Sequence, residues 1–434
     1  MKMTVFQSDK GDCLLLTSTS GKNILVDGGM SKSFVDHVAD ELARLRQRGQ
    51  GLDLVYVSHI DQDHIAGVLK LMDDILDWKV FHFQRANGNP TFPQPDSPEP
   101  PEVKAIWHNS FHEVLGKNAG PIEDMLAANA SLLSALDLDW ARGLAERAGD
   151  LATSMNEAAR LSRRIGAGQL GIPLNRQYDH GLMFVSDPPT PIRLGSLRLS
   201  VIGPYAEDLK NLRDAWNKWL RSQQGRKQLR KIREDARDDE RRLGADEFES
   251  FVGSVPLEAA ALGDRDEVTP PNLASLMLLV TEGQKKALLT GDGHADDILA
   301  GLESCNQLAA GGGIHVDVLK IPHHGSEFNT TSDFCRRVTA NHYVFCGNGA
   351  HHNPDTRVVT AYVDSRLGSP SKRSKNPEAG DPFRFWFNSS PTMQDAKFPA
   401  HMQEVRDLVD SAVGRSNGQM SGRFLRTSKF ELQL

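Results

Sequence analysis

The sequence predicts an α/β fold, and three observations carry that prediction. Short apolar runs rich in β-branched residues recur along the chain, a helix-periodic stretch separates the second run from the third, and the most polar clusters fall directly after the ends of these runs. The AVILMFWYC set makes up 39% of the 434 residues, and the 37 glycines raise the apolar share to about 47%, an ordinary globular value. No apolar run approaches the ~18–20 residues of a membrane helix. The amino-terminal segment lacks an apolar h-region, so no secretory leader is read there. A formal charge of −7 excludes a uniformly basic coat protein while leaving room for a local cationic groove. The four cysteines are scattered without a CxxC pair, which argues against a disulfide scaffold and a thiolate zinc knuckle. A cytoplasmic protein without membrane attachment is expected.

Taken in order, residues 13–17 and 23–26 are apolar runs around a Ser-Thr-Ser-Gly-Lys turn, a hairpin pattern. Phe34, Val35, Val38, Leu42 and Leu45 follow at helical spacing. Residues 54–57 form a buried strand that delivers Ser58-His59-Ile60-Asp61-Gln62-Asp63-His64 onto the next loop. His82, inside Phe-His-Phe, reads as a strand position. Residues 87–101 read as a linker. From 102 to 168 the pattern is helical, and His108 and His112 beside Trp107 and Phe111 read as packing or surface residues. Strand character returns at 192–202, followed by a charged insertion over 205–266. Four further strand-like runs, 274–281, 286–290, 316–321 and 343–346, each end in polar residues. The stretch 365–380 reads as a mobile loop, with closing strands at 383–387 and 424–434.

His59, Asp61, Asp63 and His64 lie within six positions. Neutral imidazoles with carboxylates are a donor set for zinc, manganese or iron, whereas magnesium and calcium prefer oxygen alone. Carboxylates this close repel each other unless a cation or a proton intervenes. Taken alone, the segment also fits a solvated loop. Gly291-Asp292 is a weak signal by itself. Pro322-His323-His324-Gly325-Ser326 is stronger, because adjacent histidines past a buried strand need hydrogen-bond partners or a metal. A shared dinuclear site explains the three clusters most economically. Gly311-Gly312-Gly313 lacks the Lys-Ser/Thr of a phosphate-binding loop, and Cys13 has no neighbouring base in the sequence.

In this order the motifs resemble the metallo-β-lactamase fold, and more narrowly the branch found in the metallohydrolase domain of the DNA-uptake competence protein ComEC. Gly11-Asp12-Cys13, Asp27-Gly-Gly, Asn272-x-x-Ser275 and Gly347-Asn348…His352 are similar to that branch as well. The resemblance covers roughly 4–85, 192–203 and 270–365. It implies a four-layer αββα metallo-β-lactamase sandwich with two mainly helical insertions. The core would occupy 1–95, 191–204 and 268–434, with a helical insertion at 96–190 and a charged helical insertion at 205–267. It also implies one or two divalent metal ions, Zn or Mn. One would be held by Asp63, His64 and His323 with Asp292 bridging, and a second by His59 and Asp61 with the same Asp292.

The chain departs from the wider superfamily in two places. Asp61 stands where His is usual, and Asn272 stands where a further His completes the position shared with His59 and Asp61. Asn suits harder ions than zinc, so that position is expected to be weak, manganese-selective or empty. His323 is preferred over His324 as ligand because it comes first after the strand and Pro322. His324 is assigned instead to an outer or substrate-facing catalytic role. His352 is a candidate acid/base or phosphate-contacting group, and Asn272, Ser326 and Asn348 are candidate substrate contacts.

A bound divalent ion lowers the pKa of water from ~15.7 towards ~7. The expected function is therefore a metal-dependent hydrolase using a metal-bound hydroxide, with Asp63 orienting the water. A phosphodiesterase or nuclease acting on DNA or RNA is the leading expectation. Arg226, Lys227, Arg230, Lys231 and Arg233, with Lys372, Arg373 and Lys375, are candidate phosphate contacts. Acids interleave the first run, which also reads as a solvated, salt-bridged helix, so nucleic acid rests on the resemblance more than on charge. Two alternatives stay open, since fold does not fix substrate. One is hydrolysis of a small phosphodiester or other ester, of choline-phosphate, cyclic-nucleotide or lactone type. The other is a metal-stabilised module that binds a protein partner through its helical insertions.

Overall fold

The structure is a computed structural model that describes residues 1–109, 157, 160–162, 164–179, 181–211, 262–263, 265, 268, 270–394 and 396–434. Most of both expected insertions, including the basic run from Arg226 to Arg233 and His112, lies outside these residues.

Two sheets form the centre. The first holds β1 (Lys2–Phe6), β2 (Leu14–Thr17), β3 (Asn23–Val26), β4 (Leu54–Tyr56) and β5 (Ile106–Trp107), with β14 (Lys429–Gln433) closing its edge beside β1. The second runs from β6 (Ile192–Leu194) through β7 (Leu197–Gly203), β8 (Met277–Glu282), β9 (Lys285–Leu289), β10 (Ile314–Lys320), β11 (Val338–Phe345) and β12 (Phe383–Phe387) to β13 (Met420–Phe424). Alternation along the strands dictates the layering, because successive side chains point to opposite faces. Leu14, Leu16, Ile24, Val26, Leu54 and Tyr56 pack with Leu278, Val280, Ala287 and Leu289 between the sheets. The residues of opposite parity face outward. Leu15, Leu25 and Val55 meet Phe34, Val38, Leu42, Val68 and Met72 of the helices α1 (Ser31–His37), α2 (Ala39–Gln47) and α3 (Gln62–Ala86). On the other side Leu279, Leu288, Tyr343, Phe345 and Phe385 meet α4 (Ala295–Ser304), α5 (Ser332–Arg337), α6 (Thr356–Leu367) and α7 (Pro399–Arg415). Helix, sheet, sheet, helix is the expected four-layer order.

Several local expectations are corrected. The helix-periodic stretch at 34–45 is two helices that meet at Val38. His82 lies on α3, a helix of 25 residues, and not on a strand. Trp107 ends a two-residue strand paired with Tyr56, so His108 follows a strand and is wholly buried. The 365–380 stretch is held in place rather than mobile. Buried Arg366 donates to the carbonyls of Ala340, Ala379 and Asp381 at 2.6, 2.9 and 2.7 Å, with its guanidinium 4.4 Å from the Phe383 ring centre. Among the described residues no helix is long and apolar enough to cross a membrane.

Candidate metal centre

Strand ends gather the polar side chains. Asp27 follows β3, Ser58 and His59 follow β4, Asp292 follows β9, and His323 and His324 follow β10. Asp61 is the N-cap of α3, and Asp63 and His64 lie in its first turn, where the helix dipole favours a carboxylate. Glycine lets the layers close on this corner. A Cβ on Gly67 would collide with the Gly28 carbonyl, and one on Gly11 would collide with that of Asp63. These approaches let Gly28 N–H donate to the His64 carbonyl at 2.8 Å and bring Asp12 N–H to the Asp63 carbonyl at 3.3 Å.

Hydrogen bonds fix the histidine tautomers. His324 Nδ1 lies 2.6 Å from the Cys346 carbonyl, which can only accept, so this nitrogen carries the hydrogen. His64 Nδ1 is 3.0 Å from the Asp27 carboxylate and donates to it likewise. Asn329 spends its Nδ2 on the Asp292 carbonyl at 2.7 Å, so its Oδ1 accepts from His323 Nδ1 at 2.6 Å. Ser58 donates its hydroxyl hydrogen to Asp27 at 2.8 Å, leaving its oxygen to accept from His59 Nδ1 at 3.1 Å. All four Nε2 atoms therefore turn inward. Those of His64 and His324 are 3.3 Å apart. They lie 3.4 and 3.3 Å from Asp292, and His324 Nε2 is 3.2 Å from Asp63.

Nitrogen lone pairs aimed at one another and at carboxylates repel unless something positive lies between them. Asp12, His64, Asp292 and His324 each offer a ligand atom, all within 4.8 Å of one another and all buried. Among the described residues, His59 Nε2, Asp12 Oδ1, Asp292 Oδ1 and Asn272 Oδ1 are buried with no hydrogen-bond partner. The donors suit a divalent ion of the zinc, manganese or iron type. Lys320, 1% exposed, pairs with Asp12, lies 3.5 Å from Asp292 and donates to the Gly291 carbonyl at 2.9 Å.

The electrostatics follow from this crowding. Burial alone would raise the carboxyls of Asp63 and Asp292. The imidazoles outweigh it and hold both well below the usual range, His64 acting first on Asp63 and His324 first on Asp292. Burial disfavours charge on His64 and His324, yet Asp292 and the neighbouring carboxylates push both well above the ordinary value. Burial prevails at His323, which is lowered. His323 and His324 both adopt left-handed backbone, φ 44° and 56°, a conformation that costs non-glycine residues on the order of 1–3 kcal/mol each. Surrounding structure must enforce it.

The expected residues separate into three groups. His59, Asp61, Asp63, His64, Asp292 and His323 converge, but the preference for His323 over His324 is reversed in the compact group: the left-handed turn aims His324 between Asp63 and Asp292, while His323 Nε2 lies 3.6 Å from Asp292. Asn272 lies against His323 at 3.4 Å. Ser326 and Asn348 are engaged within the fold: Ser326 Oγ accepts from Phe328 N–H at 3.3 Å, and Asn348 binds Asp9 and accepts from Ala350 N–H at 3.0 Å. His352 turns its ring edge-on to His401, 5.4 Å away, and among the described residues no contact joins it to the cluster. Its neighbour His351 is the one whose charge couples to Asp63, His323 and His324.

Asp12, Asp27, Lys320 and Asn329 went unassigned in the sequence. Asp27 satisfies the same strand-end criterion as His59, and Lys320 is a lone charge closing an apolar strand, so both were legible. His108 is also wholly buried, and burial pushes it down to about 4 beside His59, against a smaller opposing pull from the Val57 backbone.

A family model described as the metallo-beta-lactamase superfamily matches residues 9–83. Over that segment the chain is similar to the metallo-β-lactamase superfamily, and the described residues hold a candidate multi-residue metal site. Among solved structures it is similar to CmlA, a diiron beta-hydroxylase from Streptomyces venezuelae, at 11% identity and a TM-score of 0.35. It is similar to a point mutant of the CmlA beta-hydroxylase at 10% identity and the same score. In both cases the match covers 100% of this chain and 54% of the other, so the chain spans about half their length. No curated protein matches it.

Proposed function

We propose that the chain is a divalent-metal-dependent phosphodiesterase and, through its resemblance to the ComEC-like branch, one that acts on DNA or RNA. The observation that carries the hydrolase reading is the pair of Nδ1-pinned imidazoles, His64 and His324, whose Nε2 atoms meet 3.3 Å apart between Asp63 and Asp292. Asp63, His64, Asp292 and His324 would hold the ion. Once bound, it would neutralise charge on a phosphoryl oxygen and make a water molecule acidic enough to attack near neutral pH. Asp63, at the half-open end of the group with 16% side-chain exposure, accepts a hydrogen bond from the attacking water and orients it. The Asp27 carboxylate and the Cys346 carbonyl keep the imidazoles in the ligating tautomer. Lys320 holds Asp12 and steadies Asp292 from below.

A second reading has one observation in its favour. Glu157 accepts from Gln62 at 3.3 Å, which sets part of the helical insertion beside the residue between Asp61 and Asp63. A mouth narrowed there favours a small phosphodiester over a polymer. The test is to load the purified chain with Mn²⁺ or Zn²⁺ and offer plasmid, single-stranded oligonucleotide and bis-p-nitrophenyl phosphate. Cleaved polymer is the expected result, and turnover of the small ester alone selects the second reading. A metal-loaded chain that cleaves none of the three overturns the hydrolase assignment and favours an interaction module. An Asp63→Ala protein with normal metal content and full activity removes Asp63 from its role.

A further inference from the structure

We propose that Lys10 is a substrate-binding residue, a rim cation that grips a second phosphate beside the one held at the metal centre, so that the preferred substrate is a phosphodiester with a neighbouring phosphate, as along a nucleic-acid strand. This rests on the phosphodiesterase reading above and deepens it. Lys10 is not among the phosphate contacts expected from the sequence.

Backbone packing fixes where Lys10 stands. A Cβ on its neighbour Gly11 would collide with the Asp63 carbonyl, and Asp12 N–H reaches the same carbonyl at 3.3 Å. On the other side, the Asp9 carboxylate accepts from the Asn348 carboxamide and pairs with Lys397 at 2.6 Å. These contacts tie the loop after β1 to the loop after β11. Lys10 is therefore held between the first turn of α3 and the loop that carries His351. The acid next to it in sequence, Asp9, is already matched by Lys397. Lys10 itself is half-buried, and among the described residues its ammonium makes no hydrogen bond or ion pair.

Its field nevertheless reaches the site. After burial and the imidazoles of His64 and His324, Lys10 is the next group to act on the Asp63 carboxyl, and it lowers it. Burial lowers His351 most, and Lys10 comes next. On Glu157 it opposes the rise that burial causes. An ammonium that influences Asp63 without pairing to it stands off from the metal ligands, and the gap between them is where an anion fits. The chemistry suits that place. A polyanion approaching the acidic basin is repelled until cations take up its charge. The metal centre takes the scissile phosphate, and Lys10 is placed to take the neighbouring one. A lysine ammonium carries three donors on a flexible stem, which tolerates the different nucleosides that can lie between two phosphates. Lys372, a contact expected from the sequence, instead pairs with Asp364 at 2.8 Å.

The test is equilibrium binding to the Mn²⁺-loaded full chain, by calorimetry, of a nucleoside 3′,5′-bisphosphate and of the matching 3′- and 5′-monophosphates. None of these ligands contains a diester, so none is consumed. On the natural sequence the bisphosphate should bind at least about tenfold tighter than the better monophosphate, the low end for a hydrogen bond to a charged group. Lys10→Gln should bring that ratio to about one and flatten the salt dependence of bisphosphate binding, while Lys10→Arg should keep both. The ratio is read within each protein, so general damage to the fold does not imitate the result. Equal affinity for the two kinds of ligand on the natural sequence, no binding of either, or an advantage that survives Lys10→Gln overturns the proposal. A Lys10-dependent advantage in a chain that cleaves no phosphodiester upholds the subsite and sinks the hydrolase reading. Cleavage of an oligonucleotide without such an advantage sinks only the role of Lys10.

Discussion

Asp27 touches no candidate substrate position, yet the tautomer of His64 depends on it. One carboxylate oxygen accepts from Ser58 N–H at 2.7 Å, and the other accepts from the Ser58 hydroxyl and His64 Nδ1 at 2.8 and 3.0 Å. Asn at this position keeps the volume but turns an NH₂ toward two donors. His64 then relieves the clash by moving its hydrogen to Nε2, where the lone pair should be, as happens when an orienting aspartate is replaced in a catalytic triad. Asp27→Asn should lower metal affinity ~10–100-fold, the usual cost of losing such a partner. A dye-competition titration reads this directly. Affinity equal to that of the natural sequence would show that His64 needs no orienting carboxylate. At this scale the sequence was partly legible. His59, Asp61, Asp63, His64, Asp292 and His323 could be found because each sits shortly past an apolar run, and those runs are strands. The order of His323 and His324 could not, because it depends on two left-handed φ angles that no residue type at those positions announces.

Elements explain the remaining differences. Phe-His-Phe around His82 is too short to separate period two from period 3.6, and α3 continues through it because Val68, Leu71, Met72 and Trp78 keep a helical buried face. The strand at Trp107 is only two residues long, so its own pattern carries no period, and pairing with Tyr56 creates it. The same α3 also docks the described part of the helical insertion. Arg160 and Arg164 reach Asp73, and Leu161 and Ile165 enter the core beneath. One turn earlier, burial pushes the Glu157 carboxyl from the ordinary 4.5 up to about 7. Gln62, Arg160 and Lys10 pull it back down, and Asp63 adds to the rise. The folded state therefore keeps a proton that the unfolded chain has released. The docked segment is secure below the ordinary glutamate value and loosens as pH rises through about 7. Hydrogen exchange at Leu161, Ser162, Arg164 and Ile165, corrected for intrinsic rates, should show protection falling as pH rises from about 4.5 to about 7, and Glu157→Gln should flatten that dependence. Equal slopes in both proteins would separate Glu157 from docking.

Across the whole molecule the rim of the sandwich concentrates charge that the fold does not balance. Among the described residues the buried ammonium of Lys320 meets Asp12 and Asp292, and Lys10 acts on Asp63, so the five carboxylates Asp12, Asp27, Asp61, Asp63 and Asp292 outnumber the fixed cations near them when the histidines are neutral. Burial makes the imbalance costly, since Asp12, Asp27 and Asp292 have side chains 1–3% exposed and cannot be screened by water. Without cations, protons on His64 and His324 are the available substitute, consistent with the upward push on both. The two sheets contribute opposite walls of this basin, with Asp12, Asp27, His59 and His64 on one side and Asp292, Lys320, His323 and His324 on the other. A cation held by both therefore links the halves of the sandwich, and its binding free energy adds to folding stability. Thermal unfolding should report the coupling. Chelation should lower the midpoint, and Mn²⁺ or Zn²⁺ at about a hundred times its dissociation constant should restore ~2.7 kcal/mol, with further ion raising the midpoint logarithmically. Ca²⁺, which prefers oxygen ligands alone, should restore little. A midpoint indifferent to chelator and metal would mean that the basin's charge is satisfied by protons, and that no ion spans the two sheets.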